Sequence, residues 1–293
     1  MRICIIGGTG MLGHRFWSSL SDKHEVFATI RGTKDSLPAI PNINIENVLE
    51  NVDISNIEDL QKKLQQVKPE MVINCVGIIK QIKESSDNII SIETNSLFPH
   101  KLAKMCKDIG SRMIQFSTDC VFDGRDGNYN EKSIANALDL YGRTKFLGEV
   151  SKEQHVLTLR TSIIGREVVP KGSLIDWFLS QEGKLINGFK NAIYSGFPTK
   201  TVVDIIDEYI LPNPSLSGIY HLSSDPINKY DLLSLTKDLF NKNITMKEDY
   251  DFKIDRSLDS TRFQKATGFT PKPWEELIKD IDIDREFYDS LKS

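Results

Sequence analysis

Arg2-Ile3-Cys4-Ile5-Ile6-Gly7-Gly8-Thr9-Gly10-Met11-Leu12-Gly13-His14-Arg15-Phe16-Trp17 is the stretch that decides the fold. Four apolar residues in a row, Ile3–Ile6, read as a strand covered on both faces, because a solvated face would show polar residues at every second position. Met11–Leu20 then carries its apolar residues at helical spacing. Between them stands Gly7…Gly10…Gly13, a glycine loop that leaves a strand and opens a helix. One glycine permits the tight turn, another lets backbone approach a pyrophosphate, and the last lets the helix pack closely on the strand. Amide groups at the helix start can face phosphates. Gly7, Thr9, Gly10, Met11, Leu12 and Gly13 are therefore expected to bind a dinucleotide.

Outward from this loop, short apolar runs alternate with helical stretches. Val26–Ile30, Met71–Val76, Met113–Ser117 and Val156–Leu159 read as strands; Ile57–Val67, Ile89–Lys107 and Leu140–Lys152 read as helices. The alternation predicts βαβ units and a Rossmann-type α/β fold with a doubly wound parallel sheet. After Arg160 the rhythm loosens. Pro170-Lys171-Gly172, Gly196-Phe197-Pro198, Pro212-Asn213-Pro214 and Pro271-Lys272-Pro273 punctuate it, with helices expected near Leu174–Gln181, Lys229–Phe240 and Trp274–Tyr288. Residues 1–160 are assigned to the dinucleotide-binding domain, with some later segments returning to it, and 161–293 mainly to a smaller substrate-binding lobe. Glu84–Asn88 reads as a polar loop beside the cofactor site.

Composition narrows the function classes. With 293 residues, 39% hydrophobic and 27% charged, the chain can fill a full core. A net charge of −4 lacks the basic excess of a nucleic-acid surface. No apolar run is long enough to span a bilayer, and Met1-Arg2 leads directly into the first strand without a signal peptide. Cys4, Cys75, Cys106 and Cys120 show no paired spacing, which fits a reduced cytoplasm. The five histidines, His14, His24, His100, His155 and His221, are scattered without ligand-like spacing, so no metal is expected. His221 reads as a packed or hydrogen-bonded residue.

Three further places carry chemistry. The second strand ends Thr29-Ile30-Arg31-Gly32 with no carboxylate, and Lys34 stands close by. A cation there suits the 2′-phosphate of NADP, whereas an acid would suit NAD. Arg31 is the choice for that contact; the competing reading is a solvated surface arginine. Tyr141-Gly142-Arg143-Thr144-Lys145 places a phenol and an ammonium on one helix face. The ammonium is expected to lower the tyrosine pKa and make the phenol a usable proton donor. Tyr288 and Lys292 repeat this spacing in a tail with nothing else to recommend them. Ser117-Thr118-Asp119 ends an apolar strand, where ligands of doubly wound sheets bind. A hydroxyl there can polarise a carbonyl oxygen.

These residues resemble the extended short-chain dehydrogenases, and more narrowly the dTDP-4-dehydrorhamnose reductase group of nucleotide-sugar 4-keto reductases. The resemblance runs through Gly7–Gly13, Asn74-Cys75-Val76-Gly77, Ser117-Thr118-Asp119-Cys120-Val121-Phe122-Asp123-Gly124, and Tyr141-Gly142-Arg143-Thr144-Lys145-Phe146-Leu147-Gly148-Glu149. Weaker matches follow in order: Leu159-Arg160-Thr161-Ser162, Gly196-Phe197-Pro198-Thr199, Gly218-Ile219-Tyr220-His221 and Arg256-Ser257-Leu258-Asp259. It implies that Thr118 binds the keto oxygen, Tyr141 protonates it, and Lys145 holds the nicotinamide ribose. It also implies that Asp53 and Ile54 contact adenine, that Cys75, Val76 and Gly77 lie along the cofactor, and that Ser117, Thr161 and Ser162 lie near it. Asp119, Ile163 and Arg256 are placed on the substrate side. Arg256 is read as a pyrophosphate contact or a structural salt bridge, and Asn95 as a residue that orders the site or a surface helix asparagine.

Two departures carry information. Related 4,6-dehydratases have Asp-Glu after the threonine, and here the pair is Asp119-Cys120, which favours reduction over dehydration. Ile163 stands where the rhamnose-pathway reductases carry an aromatic residue, so a UDP-linked 2-acetamido-4-keto-6-deoxy sugar fits as well as a dTDP-linked one. NADPH is the implied cofactor, with NAD open, the partner is a nucleotide-sugar, and a homodimer is open. The competing readings are an epimerase or dehydratase on the same fold, and a non-catalytic NADP-binding regulatory subunit.

Overall fold

Strand β1 (Arg2–Ile6) lies inside a seven-stranded sheet whose pairings are all parallel. The computed structural model describes residues 1–80, 86–169 and 172–291. Glu84 and Ser85 of the expected polar loop, Pro170-Lys171, and Lys292 lie outside the described residues.

The chain runs from β1 into α1 (Met11–Leu20), β2 (Glu25–Thr29) and β3 (Val48–Leu49), then through α2 (Ile57–Val67) into β4 (Met71–Asn74). Next come α3 (Asn88–Ser91), a π-helical stretch over Ile92–Leu97, α4 (Phe98–Asp108), β5 (Arg112–Thr118), α5 (Leu140–Leu147) and β6 (Val156–Thr161). Two later strands are short, β7 (Ile163–Ile164) and β9 (Phe197–Pro198), and pair with each other. Strand β8 (Leu185–Tyr194) is central to a three-stranded sheet with β11 (Ile227–Asn228) and β12 (Thr245–Asp255). Strand β10 (Gly218–His221) returns to the main sheet, parallel to β6. The helices that follow α5 are α6 (Leu174–Leu179), α7 (Thr199–Ile205), α8 (Lys229–Leu239) and α9 (Thr261–Thr267), before the C-terminal pieces.

The main sheet's order is β10-β6-β5-β4-β1-β2-β3. The direction of winding therefore reverses between β1 and β4, and a crevice opens beyond their carboxyl ends. Alternate residues of β1 serve two cores. Ile3 and Ile5 pack with Phe16, Trp17, Met71 and Leu159, whereas Cys4 and Ile6 pack with Leu60, Leu64, Val72 and Leu102. That is why the strand is apolar throughout.

Three helices differ from expectation, each for a physical reason. The helix predicted over Ile89–Lys107 carries a π-helical stretch in its middle. Pro99 has no N–H to give the carbonyl of Asn95 four residues earlier, so the regular ladder breaks there. The helix predicted over Leu140–Lys152 stops at Gly148, where an added Cβ would lie 1.9 Å from the Asn95 carbonyl oxygen. The predicted Trp274–Tyr288 helix divides into α10 (Trp274–Leu277), a 3-10 turn over Ile278–Ile281 and α11 (Arg285–Ser290), with Asp284 left-handed at φ 64° between them.

Candidate active site

The glycine loop is held from one side by β2. Gly7 N–H donates to Thr29 Oγ1 at 2.9 Å, and Gly8 N–H donates to the Thr29 carbonyl at 2.8 Å. Gly7 is left-handed at φ 89°, which glycine alone adopts without strain. A Cβ on Gly13 would stand 2.0 Å from the Gly7 carbonyl oxygen, so this glycine is what lets α1 close on the loop. Helix α1 starts at Gly10 with no side-chain cap, leaving its first turn to accept an anion. Leu12 is buried, while Thr9, Gly10 and Met11 remain half-exposed around that turn.

On the far side of the switch point lie Cys75, Val76 and Gly77. The expected strand ends two residues early because Val76 N–H donates to Asn74 Oδ1 at 3.1 Å, closing a turn. The two loops touch: a Cβ on Gly7 would lie 2.9 Å from Val76 Cγ2. Asn95 is buried and makes three hydrogen bonds to two residues, so it is no surface residue. Its Oδ1 accepts from Ile78 N–H at 2.9 Å, and its Nδ2 donates to the Ile78 carbonyl at 3.0 Å and to Thr144 Oγ1 at 3.3 Å. One side chain thus ties the loop after β4 to the helix that bears Tyr141 and Lys145.

Thr118 ends β5 and pairs in register with Thr161 at the end of β6. The Thr118 hydroxyl lies near enough to Tyr141 to act on its phenol, donates to Asp119 Oδ1 at 3.0 Å, and accepts from Cys120 N–H at 3.1 Å. Helix α5 is aimed by its cap, Asp139, which accepts from Gly142 N–H at 2.9 Å. Lys145 is buried one turn after Tyr141 and donates to the Phe116 carbonyl at 2.6 Å. Burial brings its ammonium down to about 8, with Glu149 acting the other way.

The lowered tyrosine pKa expected from this pair is not found. Burial pushes the Tyr141 phenol up, reinforced by Cys120 and Asp119, while the Thr118 hydroxyl works against it. The Lys145 ammonium is engaged with the Phe116 carbonyl, and burial is the largest influence on the phenol. At rest the phenol keeps its proton.

Other expected residues fall in different places. Ser117 is turned away from Tyr141, its hydroxyl donating to Glu149 Oε1 at 2.7 Å. Ser162 and Ile163 are half-buried, and the Ser162 carbonyl accepts from Phe197 N–H at 2.9 Å. Asp119 is buried, which raises its carboxyl, with Thr118 and Arg256 opposing. Arg256 donates to the Phe122 carbonyl at 3.0 Å and reaches Cys120 Sγ at 3.7 Å, and it forms no salt bridge among the described residues. Arg31 and Lys34 are exposed beyond β2, and Arg31 lies close enough to help lower the Asp53 carboxyl, behind the larger effect of Ser55. Ile54 packs against the second core.

Sequence reasoning missed Lys80, Lys229 and Glu149. The Lys80 ammonium sits 5.6 Å from the Tyr141 ring centre and pairs with Asp139 at 3.0 Å. Lys229 opens α8 (Lys229–Leu239); burial lowers its ammonium, and Asp119 and Cys120 act to raise it. Neither lysine stands in a motif, and only the fold brings them here. Tyr288 belongs to packing: its hydroxyl meets His14 Nε2 at 2.6 Å and Arg15 Nη2 at 2.8 Å. His221 is hydrogen-bonded to the Tyr129 carbonyl at 2.9 Å.

A parallel sheet that reverses its winding beside a glycine loop, with Thr118, Tyr141 and Lys145 gathered at the same end, defines a Rossmann-type α/β protein. This chain belongs to the family described as the RmlD substrate binding domain, whose model matches residues 1–284. It is 27% identical over 290 residues to methionine adenosyltransferase 2 subunit beta of Xenopus tropicalis, covering 93% of this chain and 78% of that one. It is 24% identical over 308 residues to dTDP-4-dehydrorhamnose reductase of Aggregatibacter actinomycetemcomitans, covering 96% and 98%. The solved dTDP-4-dehydrorhamnose reductase from Bacillus anthracis, a complex with NADP, matches with a TM-score of 0.77 at 20% identity, covering 97% and 99%. At that identity the likeness speaks for the fold. No helix among the described residues is long and apolar enough to cross a membrane.

Proposed function

We propose that this protein uses NADPH to reduce the 4-keto group of a nucleotide-linked 6-deoxy sugar, dTDP-4-dehydrorhamnose or a UDP-linked 2-acetamido-4-keto-6-deoxyhexose, on the way to cell-surface polysaccharide. The observation that carries it is the convergence of the Thr118 hydroxyl and the Tyr141 phenol beside the switch-point crevice, with Lys145 one turn further on. The residues present suit a nicotinamide dinucleotide. The loop is glycine where a Cβ would clash, α1 is uncapped, and a Cβ on Gly77 would lie 3.8 Å from Lys145 Nζ, so backbone and ammonium border the same space. The bound cofactor supplies the hydride for the ketone carbon.

The rest falls to this chain. As the carbonyl carbon becomes tetrahedral, charge grows on its oxygen, and hydroxyls from Thr118 and Tyr141 stabilise it most at that stage. A phenol that keeps its proton at neutral pH has one to give to that oxygen. Lys145, at about 8, is mainly an ammonium at neutral pH and can hold ribose hydroxyls. Cys120 is pushed up to about 12 by burial, so at neutral pH it is an uncharged thiol that offers no base for removing water. This favours reduction over dehydration.

The test is NADPH oxidation over dTDP- and UDP-linked 4-keto-6-deoxy sugars, with the product identified by NMR. Stoichiometric consumption is expected with one of them. Turnover without net NADPH loss supports an epimerase or dehydratase instead. The likeness to methionine adenosyltransferase 2 subunit beta favours a second reading, a non-catalytic NADP-binding regulatory subunit. NADPH binding with no turnover of any keto-sugar, joined to a co-purifying enzyme whose rate it changes, selects that reading.

A further inference from the structure

Tyr288 belongs to the packing of α11, yet its hydroxyl stands in a chain of hydrogen bonds that ends on the glycine loop. The side chain is only 2% exposed. Its hydroxyl meets Arg15 Nη2 at 2.8 Å and His14 Nε2 at 2.6 Å, and His14 Nδ1 meets the Gly10 carbonyl at 2.8 Å. Chemistry fixes the direction of each bond. A carbonyl can only accept, so Nδ1 carries the imidazole proton. Burial holds His14 at about 4, so at neutral pH the ring is uncharged and Nε2 is an acceptor. The phenol therefore donates to Nε2, while its oxygen accepts from the Arg15 guanidinium. The same Gly10 carbonyl also accepts the His14 N–H at 3.0 Å, the bond that opens α1.

Further contacts hold the phenol where this chain needs it. Arg15 Cζ and Arg166 Cζ lie 5.7 Å and 4.9 Å from the Tyr288 ring centre. Asp284 pairs with Arg15 at 2.6 Å, and Asp289 with Arg166 at 2.9 Å. Both arginines are buried, and Arg15 Nε and Arg166 Nη1 have no hydrogen-bond partner among the described residues. Buried charge with unused donors is costly, and a well-packed apolar plug would hold α11 at least as firmly. What the polar contacts add is direction, and that direction leads to Gly10.

We propose that Tyr288 is a positioning residue for the dinucleotide: acting through His14, it holds the Gly10 carbonyl and with it the uncapped first turn of α1. The inference rests on the reading that this loop holds NADPH. Two donors converge on that carbonyl, one from backbone and one from the imidazole, so the free amides of the turn keep the orientation that phosphate oxygens need. Docking of α11 and binding of NADPH then favour each other, by the same factor in both directions.

The test uses the full chain carrying Tyr288→Phe, which keeps the ring between the arginines and removes only the hydroxyl. His14→Phe and the double variant complete a cycle, with NADPH Kd measured by fluorescence titration in the absence of any sugar. Each single variant should weaken NADPH by about fivefold, as loss of one hydrogen bond of ordinary net strength predicts. Because the two residues act in series, the double variant should be weakened about as much as His14→Phe alone. Hydrogen exchange of cofactor-free Tyr288→Phe should also be about fivefold faster at the amides that open α1, with β12 unchanged. A folded Tyr288→Phe protein that binds NADPH like wild type leaves Tyr288 to packing alone and overturns the inference, as do losses that multiply in the double variant. Should the variants fail to fold, wild type decides the matter: saturating NADPH should slow exchange in Arg285–Ser290, and unchanged exchange there overturns the inference. Exchange without cofactor needs no dinucleotide. Faster opening of α1 in Tyr288→Phe, in a chain whose wild type binds no NADPH, would retain the hold on Gly10 and sink the cofactor reading alone.

Discussion

Alanine at Gly13 and alanine at Gly10 should do opposite things, although both glycines belong to one motif. A Cβ at position 13 would stand 2.0 Å from the Gly7 carbonyl oxygen, 2.9 Å from its carbon and 3.2 Å from Gly8 Cα. All three are backbone atoms, so no rotamer change relieves the clash, and α1 must lift off β1. Overpacking costs roughly 1–3 kcal/mol where side chains can yield. Here the upper end is the expectation, and about 3 kcal/mol lowers Tm by roughly 6–12 °C in a chain of this size. At Gly10 the nearest atom to a new Cβ is the Gly7 carbonyl oxygen at 3.5 Å, an ordinary contact, and φ is −73°. Stability there should stay within about 0.5 kcal/mol, since losing a glycine also restricts the unfolded chain. The new methyl group would instead occupy the approach to the uncapped helix start and weaken NADPH binding. Thermal melts without cofactor, paired with NADPH titrations, separate the two effects. A Gly13→Ala protein that melts with wild type, or a Gly10→Ala protein that loses as much stability as Gly13→Ala, would refute the reasoning.

Other consequences follow from single groups. Tyr141→Phe should leave NADPH affinity nearly intact and cut turnover at least about a hundredfold, the lower range for a positioned proton donor; comparable turnover would remove Tyr141 from the mechanism. Arg31→Ser should weaken NADPH binding by about tenfold and leave NADH unchanged, as loss of one charge-assisted phosphate contact predicts; equal losses for both cofactors would place Arg31 elsewhere. Burial holds His14 at about 4 and His221 at about 3. In the unfolded chain a histidine protonates near about 6.5, so below that pH the unfolded state binds the extra protons. The stability these histidines give is therefore complete above about 6.5 and lost as pH falls toward their folded values. The double variant His14→Gln, His221→Asn should flatten the fall of the urea midpoint with acid, and an undiminished slope would show that other groups govern it.

The chain alone was enough for the parallel sheet and its glycine turn, because both depend on local pattern. Ile3–Ile6 is apolar at every position since each face of β1 meets a core, and Gly13 is glycine since nothing larger fits under α1. The YxxxK spacing likewise made Tyr141 and Lys145 legible, as four residues along a helix share a face. Charge state was another matter. The phenol's raised pKa comes from burial and from Cys120 and Asp119, neighbours brought close by the fold. Asn95, Lys80, Lys229 and Glu149 also became meaningful only through contacts across the chain. A π-helical stretch aims Asn95 at the loop after β4, and a strand from the second half, β10, packs His221 behind Arg160. Periodicity reports which way a residue faces within its own element, whereas desolvation and Coulomb interactions depend on what other elements bring alongside, and that is decided in three dimensions.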